Sequence, residues 1–214
     1  MKIDNVSVYN IYPSIISLRN ATQTWKQSDT TQLPIKKLDS LVSYNHANIG
    51  PKDRSLIIKL LKLARETGKS SHRKFLRQIL VSFDLLAPKS FWSVFDSYKI
   101  GVTTSSSNTL TTLTKLIDHQ QKLGMEYFEY KNLKEQEALK EIINKINLSE
   151  DIDFITTILP QSFLLKKSWT GSYENLLNIY LDQYKNEFYQ WQIVIKMIKK
   201  LPLMDALIIP NSTL

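Results

Sequence analysis

The chain of 214 residues contains no cysteine, which excludes disulfides, thiolate zinc sites and a cysteine nucleophile. Its only histidines are His46, His72 and His119, and no two of them stand at helical ligand spacing, so a metal centre is not expected. Five glycines and seven prolines are too few for a turn-rich all-β chain. No Walker loop, GxGxxG, Ser-His-Asp order or paired-carboxylate motif is present. Any chemistry would therefore have to come from a cofactor that the protein positions. No apolar run escapes charge for the roughly 18 residues a membrane span needs, and the short N-terminal run is broken at Pro13. That pattern reads as neither signal peptide nor span, and the expectation is a soluble, cytoplasmic protein. Internal repeats, linkers and low-complexity blocks are also missing, which predicts a single domain over residues 1–214.

What remains is an ordinary globular balance, 43% hydrophobic and 22% charged, with a formal net charge of +8. A basic surface favours anionic partners such as nucleotides. The lysines are scattered instead of blocked, so a nucleic-acid groove is disfavoured.

The richest stretch runs from His72 to Thr112. It opens with a basic cluster (His72, Arg73, Lys74, Arg77), passes through an apolar segment and Ala87-Pro88, and ends in a polar tract. There Tyr98, Lys99 and Gly101 precede Thr103, Thr104, Ser105, Ser106, Ser107 and Asn108. A cation beside a glycine and a run of hydroxyls suits phosphate binding, because the glycine admits close backbone approach while hydroxyls and N–H groups donate hydrogen bonds. The competing reading is a helix that stops at Gly101, followed by a solvated Ser/Thr loop.

Along the chain, residues 2–11 alternate as a strand. Residues 17–34 form a polar loop in which Trp25 pins the segment to the core or lines a pocket, pinning being preferred. Gly50-Pro51 introduces a helix with Leu56, Leu60, Leu63 and Ala64 inward, stopped at Thr67-Gly68. Residues 73–83 fit helix or buried strand, with strand plausible from Ile79. Phe91, Trp92 and Phe95 recur at helical spacing and read as core. Helices follow over 110–123, with a solvated His119, and over 131–147, with Leu139, Ile142, Ile143 and Ile146 inward. From Tyr173 to Pro202 the period is that of one helix, or of two broken near Lys185-Asn186-Glu187.

Three ordered pieces together resemble the flavin-dependent thymidylate synthase (ThyX) family, in particular a divergent branch seen in phages and Firmicutes. They are SLRNATQTWKQSDT with NHANIGPKD; the His72 stretch with Asp96-Ser97-Tyr98-Lys99-Ile100-Gly101; and a C-terminal pattern of Leu159-Pro160, Trp169-Thr170, Asn178 and Gln190-Trp191-Gln192-Ile193. The resemblance implies an α/β (α+β) fold with a curved sheet packed with long helices, and a homotetramer holding FAD at subunit junctions. It implies reductive methylation of dUMP to dTMP with methylenetetrahydrofolate and with NADPH as reductant. It assigns His72, Tyr98, Lys99 and Arg77 to the flavin, and Ser105, Ser107, Ser172 and Gln183 to the pyrimidine nucleotide. No protein nucleophile and no metal is implied.

The family's Arg-His-Arg motif is absent, Tyr98-Lys99 being its nearest remnant. A lysine cannot reproduce an arginine fork, and Arg73, Lys74 and Arg77 are the cations placed to substitute for it. The alternative expectation is accordingly a catalytically degenerate member of the fold that binds or sequesters a nucleotide or dinucleotide.

Overall fold

The computed structural model describes residues 1–32, 36–38, 42–44 and 47–208. His46, and with it part of the NHANIGPKD piece, lies outside the described residues. In chain order the elements are β1 (Lys2–Tyr9), α1 (Ile11–Ser17), β2 (Thr31–Gln32), β3 (Lys36–Leu38), β4 (Val42–Tyr44), β5 (Ala47–Asn48), α2 (Pro51–Thr67), β6 (Leu80–Pro88) and α3 (Lys89–Phe95). There follow β7 (Thr103–Ser106), α4 (Thr109–Asp118), α5 (Leu133–Asn147), α6 (Ile152–Ile158), β8 (Leu164–Ser172), α7 (Tyr173–Gln183), α8 (Tyr189–Lys200) and α9 (Met204–Leu207). In the chain, 3-10 segments at Ser70–Arg77 and Asp96–Tyr98 precede β6 and follow α3. The strands are ordered β3-β4-β1-β6-β8-β7 in one sheet, with β4 parallel to β1 and antiparallel to β3, and β2 pairs β5 separately. The expected mixture of sheet and long helices is therefore observed.

The ambiguity over 73–83 resolves into both readings in succession: a 3-10 segment to Arg77, then β6. In β6 the side chains alternate, with Val81, Phe83, Leu85 and Ala87 buried and Ser82, Asp84 and Leu86 half-buried. That period of two is what a strand with one core face demands. The hydroxyl tract is neither a loop nor the tail of a helix, since Thr103–Ser106 forms β7, exposed along its whole length at the end of the sheet order. Thr and Ser satisfy strand geometry and solvent together there, which a loop reading based on composition overlooks.

Contacts divide the chain into two compact units, each described on its own. Unit 1 comprises Met1–Ile3, Asp84–Ser97 and Thr104–Trp169. Its helices α4, α5 and α6 enclose a core of Leu113, Leu116, Leu139, Ile143, Ile146 and Ile155, joined by Phe128 and Phe163. Helix α4 ends at Asp118, five residues before the expected Leu123, because Asn147 holds the backbone N–H and C=O of Leu123 at 2.8 and 3.0 Å in a separate turn. On α3, Phe91, Trp92 and Phe95 pack as a ring cluster, Phe95 meets the buried Trp169 edge-on at 6.3 Å, and the Trp92 indole donates to the Leu165 carbonyl at 3.0 Å. Burying each such ring or leucine contributes about 1.5–3 kcal/mol.

Unit 2 comprises Asp4–Phe83, Tyr98–Thr103 and Thr170–Leu214. Helix α2 starts at the Gly50-Pro51 signal and ends on Gly68 in the left-handed region, φ 65°. Its buried face is Asp53, Ile57 and Leu61, not the expected Leu56, Leu60, Leu63 and Ala64, which are half-buried. The helix is rotated because the Asp53 carboxylate is drawn inward by hydrogen-bonding partners that helical periodicity cannot show. The C-terminal pattern is two helices. Asn186 breaks it by accepting from the Phe188 N–H at 3.0 Å and donating to Gln183 at 2.8 Å, so its side chain competes with the helical backbone.

Candidate functional site

The N-terminus of α7 is the hub of unit 2. Ser172 leaves β8 in an extended conformation (φ −95°, ψ 166°) and closes a capping box with Asn175, whose N–H reaches the Ser172 hydroxyl at 3.3 Å while its side-chain oxygen accepts from the Ser172 N–H at 2.9 Å. The Asn175 amide then donates to the Ile100 carbonyl at 2.7 Å. That bond fastens the turn in which the Val102 N–H reaches the Lys99 carbonyl at 3.2 Å. Gly101 lies at φ 72° in this turn, where an L-residue would be strained, and nothing comes within 4 Å of where its Cβ would sit. The Lys99 side chain is exposed on this anchored, open turn.

One residue earlier, the Tyr98 hydroxyl accepts from the Gln183 amide at 2.8 Å, and its ring stands edge-on to Trp191 at 6.0 Å and 80°. Burial pushes the Tyr98 phenol above its ordinary pKa and the Asp182 carboxylate pushes it further, against the Gln183 hydrogen bond. Tyr98 is thus held as a neutral phenol throughout the physiological range. Both ends of α7 grip the 98–102 segment, Asn175 at its first turn and Gln183 at its last.

On the other side of the hub, Glu174 meets two guanidiniums. Arg73 approaches it at 3.1 Å, and Arg77 engages it through Nε, with a second contact from Nη2 at 3.4 Å. Arg73 and Arg77 stand 30% and 49% exposed and Glu174 12%. The half-buried His72 lies on the same 3-10 segment.

Of the residues expected to bind ligands, Tyr98 with Gln183, Lys99 with Ser172 through Asn175, and His72 with Arg77 are thus gathered around α7. The Ser172 hydroxyl is spent on the cap and the residue is 8% exposed. Ser105 and Ser107 belong to unit 1: Ser105 is exposed on β7, and Ser107 exchanges bonds with Lys166, its N–H reaching the Lys166 carbonyl at 2.8 Å and its hydroxyl accepting at 3.1 Å. Sequence reasoning missed Glu174, Asn175 and Asp182. The spacing Ser172-x-x-Asn175 is a helix-start signature that would have pointed to the hub.

A second arginine cluster in unit 2 is closed. Arg19 Nε donates to Asp53 at 2.6 Å, with side chains 9% and 0% exposed. The Ser28 hydroxyl and the Thr30 hydroxyl (2.7 Å) and N–H (3.2 Å) complete the carboxylate's shell. Burial works to raise the Asp53 pKa, but the Ser28, Thr30 and Arg19 hydrogen bonds and the Arg19 charge outweigh it and hold the carboxyl below its ordinary value. Beside it Asp29 caps α2 by accepting from the Lys52 and Asp53 N–H groups at 2.8 and 3.0 Å. A Cβ on Gly50 would lie 2.2 Å from the Asp29 side chain, so only glycine fits. These bonds pin the segment from Arg19 to Thr30. Trp25 does not pin it, being 46% exposed.

The sequence matches no protein-family model and no curated protein. Its fold is similar to solved structures of Thymidylate Synthase X (ThyX) from Helicobacter pylori with FAD and dUMP. One such structure is 16% identical at a TM-score of 0.67, the match covering 98% of this chain and 100% of that one. A second, of the flavin-dependent thymidylate synthase ThyX from the same organism complexed with FAD and dUMP, is also 16% identical at a TM-score of 0.67, covering 94% of each chain. The chain therefore has a ThyX-like fold.

Proposed function

We propose that this protein is a ThyX-like flavin-dependent thymidylate synthase, with Tyr98, Lys99 and Arg77, held by the two ends of α7, among its flavin contacts. The observation that carries this is the coincidence of a ThyX-like fold over 98% of the chain with an anchored Lys99-Gly101 turn of the kind that suits a phosphate. The residues present fit FAD and dUMP in kind: Lys99 and Arg77 supply cations for phosphates, the open backbone at Gly101 permits close approach, and the Tyr98 ring offers a flat apolar surface with a neutral phenol. When bound and reduced by NADPH, FAD would supply the hydride and relay the one-carbon unit of methylenetetrahydrofolate, chemistry for which this chain offers no nucleophilic cysteine. The chain's own part is to bind and orient. Asn175 and Gln183 fix the turn and the phenol, and Lys99 meets anionic charge from solvent. Glu174 holds Arg77 in place.

The reading carries with it NADPH as reductant, a homotetramer and the phage and Firmicutes branch, supported by the ordered three-piece resemblance, together with residues 1–214 as one ThyX-like domain and a cytoplasmic location. A second reading, a catalytically degenerate protein that binds or sequesters a nucleotide, is favoured by one observation: Glu174 engages both Arg73 and Arg77, leaving Lys99 as the exposed cation of the turn. Reconstitution with FAD, followed by an assay for dTMP from dUMP, methylenetetrahydrofolate and NADPH, separates them. Turnover supports the synthase. Tight nucleotide binding without turnover supports the second reading, and binding of neither FAD nor nucleotide overturns both.

A further inference from the structure

Unit 2 contains a cavity of about 170 Å³ that none of the flavin or nucleotide contacts uses. Leu61, Ala64, Arg65 and Gly68 face it from α2 and its C-cap, at the spacing of one helical face, and Leu177 and Leu181 face it one turn apart on α7. Leu207 of α9 completes the apolar wall, and Arg65 and Arg73 are the charged residues of the lining, Arg65 being engaged elsewhere as well. A dry apolar cavity of about 150 Å³ accepts a benzene ring, so this one has room for a single ring or a short acyl chain. Its polar side is cationic. Arg73 shares the Glu174 carboxylate with Arg77, and two guanidiniums against one carboxylate leave that triplet net positive.

We propose that this cavity is a binding site for a small amphiphilic anion, a carboxylate or phosphate on an apolar body of ring or short-chain size, with the body against Leu61, Leu177 and Leu207 and the anion on Arg73. Charge-assisted bonds from guanidinium to carboxylate or phosphate are about twice as strong as neutral ones, so the head group sets the affinity and the leucines set the size limit. His72, Tyr98, Lys99, Arg77 and Gln183 do not line this cavity, although Arg73 shares Glu174 with Arg77, so the test below reads probe binding and not synthase turnover.

The test is titration of the full chain with benzoate, phenyl phosphate and benzyl alcohol, followed through leucine methyl NMR signals. Saturable shifts are expected at Leu61, Leu177, Leu181 and Leu207 with benzoate or phenyl phosphate, and the neutral alcohol should bind about tenfold more weakly or less. Which of the two anions binds tighter identifies the head group. Arg73→Gln should weaken the anion about tenfold and leave the alcohol unchanged, and Ala64→Phe should abolish both by filling the space. If Ala64→Phe fails to fold, Arg73→Gln decides. Equal binding of alcohol and benzoate, shifts that do not saturate, or displacement of benzoate by dUMP would each overturn the proposal.

Discussion

Arg19–Asp53 and Arg73/Arg77–Glu174 are assembled from the same two functional groups, within the same unit, and differ in what surrounds them. The first is sealed: its carboxylate is fully buried and surrounded by Ser28, Thr30 and Arg19. The second is open, with its arginines 30% and 49% exposed and one carboxylate for two cations. A sealed pair fixes the backbone, because desolvated charges tolerate no loss of a partner. An open, cation-rich cluster can exchange its carboxylate for an incoming anion at little cost, since exposed pairs contribute roughly 0–1 kcal/mol. Burial, more than residue type, thus separates the arginine that builds the fold from those available to a ligand.

The largest effect that would break this contrast is at Asp53. Asp53→Ala should cost about 3–5 kcal/mol by leaving the Arg19 charge buried and alone, measured as a fall in the urea midpoint at unchanged slope. Removing both charges together, Arg19→Met with Asp53→Leu, should cost less than Asp53→Ala; a larger loss would show that the pair does not act as argued.

The same group sets a pH dependence. Its folded pKa lies below the unfolded value of about 3.9, so its contribution is complete above that value and fades as the pH falls through the folded pKa. The urea midpoint of the wild type should therefore drop steeply in acid below about pH 4, and Asp53→Asn, already weaker at neutral pH, should show a flatter decline. Parallel curves would contradict the linkage.

Ligand binding should respond in the opposite pattern. Lys99→Ala is expected to weaken FAD or dUMP binding by about tenfold or more, the worth of one charged hydrogen bond, with no change in melting temperature. At the open cluster, Glu174→Gln should shift stability by about 1 kcal/mol or less while tightening benzoate at the cavity, and a stability loss as large as that of Asp53→Ala would erase the distinction between the clusters. The smallest effect is at Trp25, whose exposed ring should change stability by less than about 0.5 kcal/mol on replacement by alanine.

Much of the fold was legible because it follows periodicity. The β1 strand, the Gly68 helix stop, the α5 face of Leu139, Ile143 and Ile146, and the break near Asn186 are all written in spacing and turn residues. The rotated face of α2 was not, since Asp53 is inward only because Ser28, Thr30 and Arg19 arrive from 23 to 34 positions away in the chain. Nor was β7, where a tract of hydroxyls gives no apolar alternation to betray a strand. At the candidate site, Tyr98, Lys99, Arg77 and Gln183 were named from the sequence only through the resemblance. Their common attachment to α7 could not, because Glu174 and Asn175 look like an ordinary polar first turn until the chain brings the 3-10 segments beside them.

The most direct test of the central claim, that the turn anchored to α7 serves a flavin-binding site, is the visible absorbance of the purified chain after incubation with FAD and removal of free cofactor, wild type beside Lys99→Ala. The wild type should retain a flavin band that NADPH bleaches, and the variant a clearly weaker one. A colourless wild type, or equal retention by the two proteins, would contradict it.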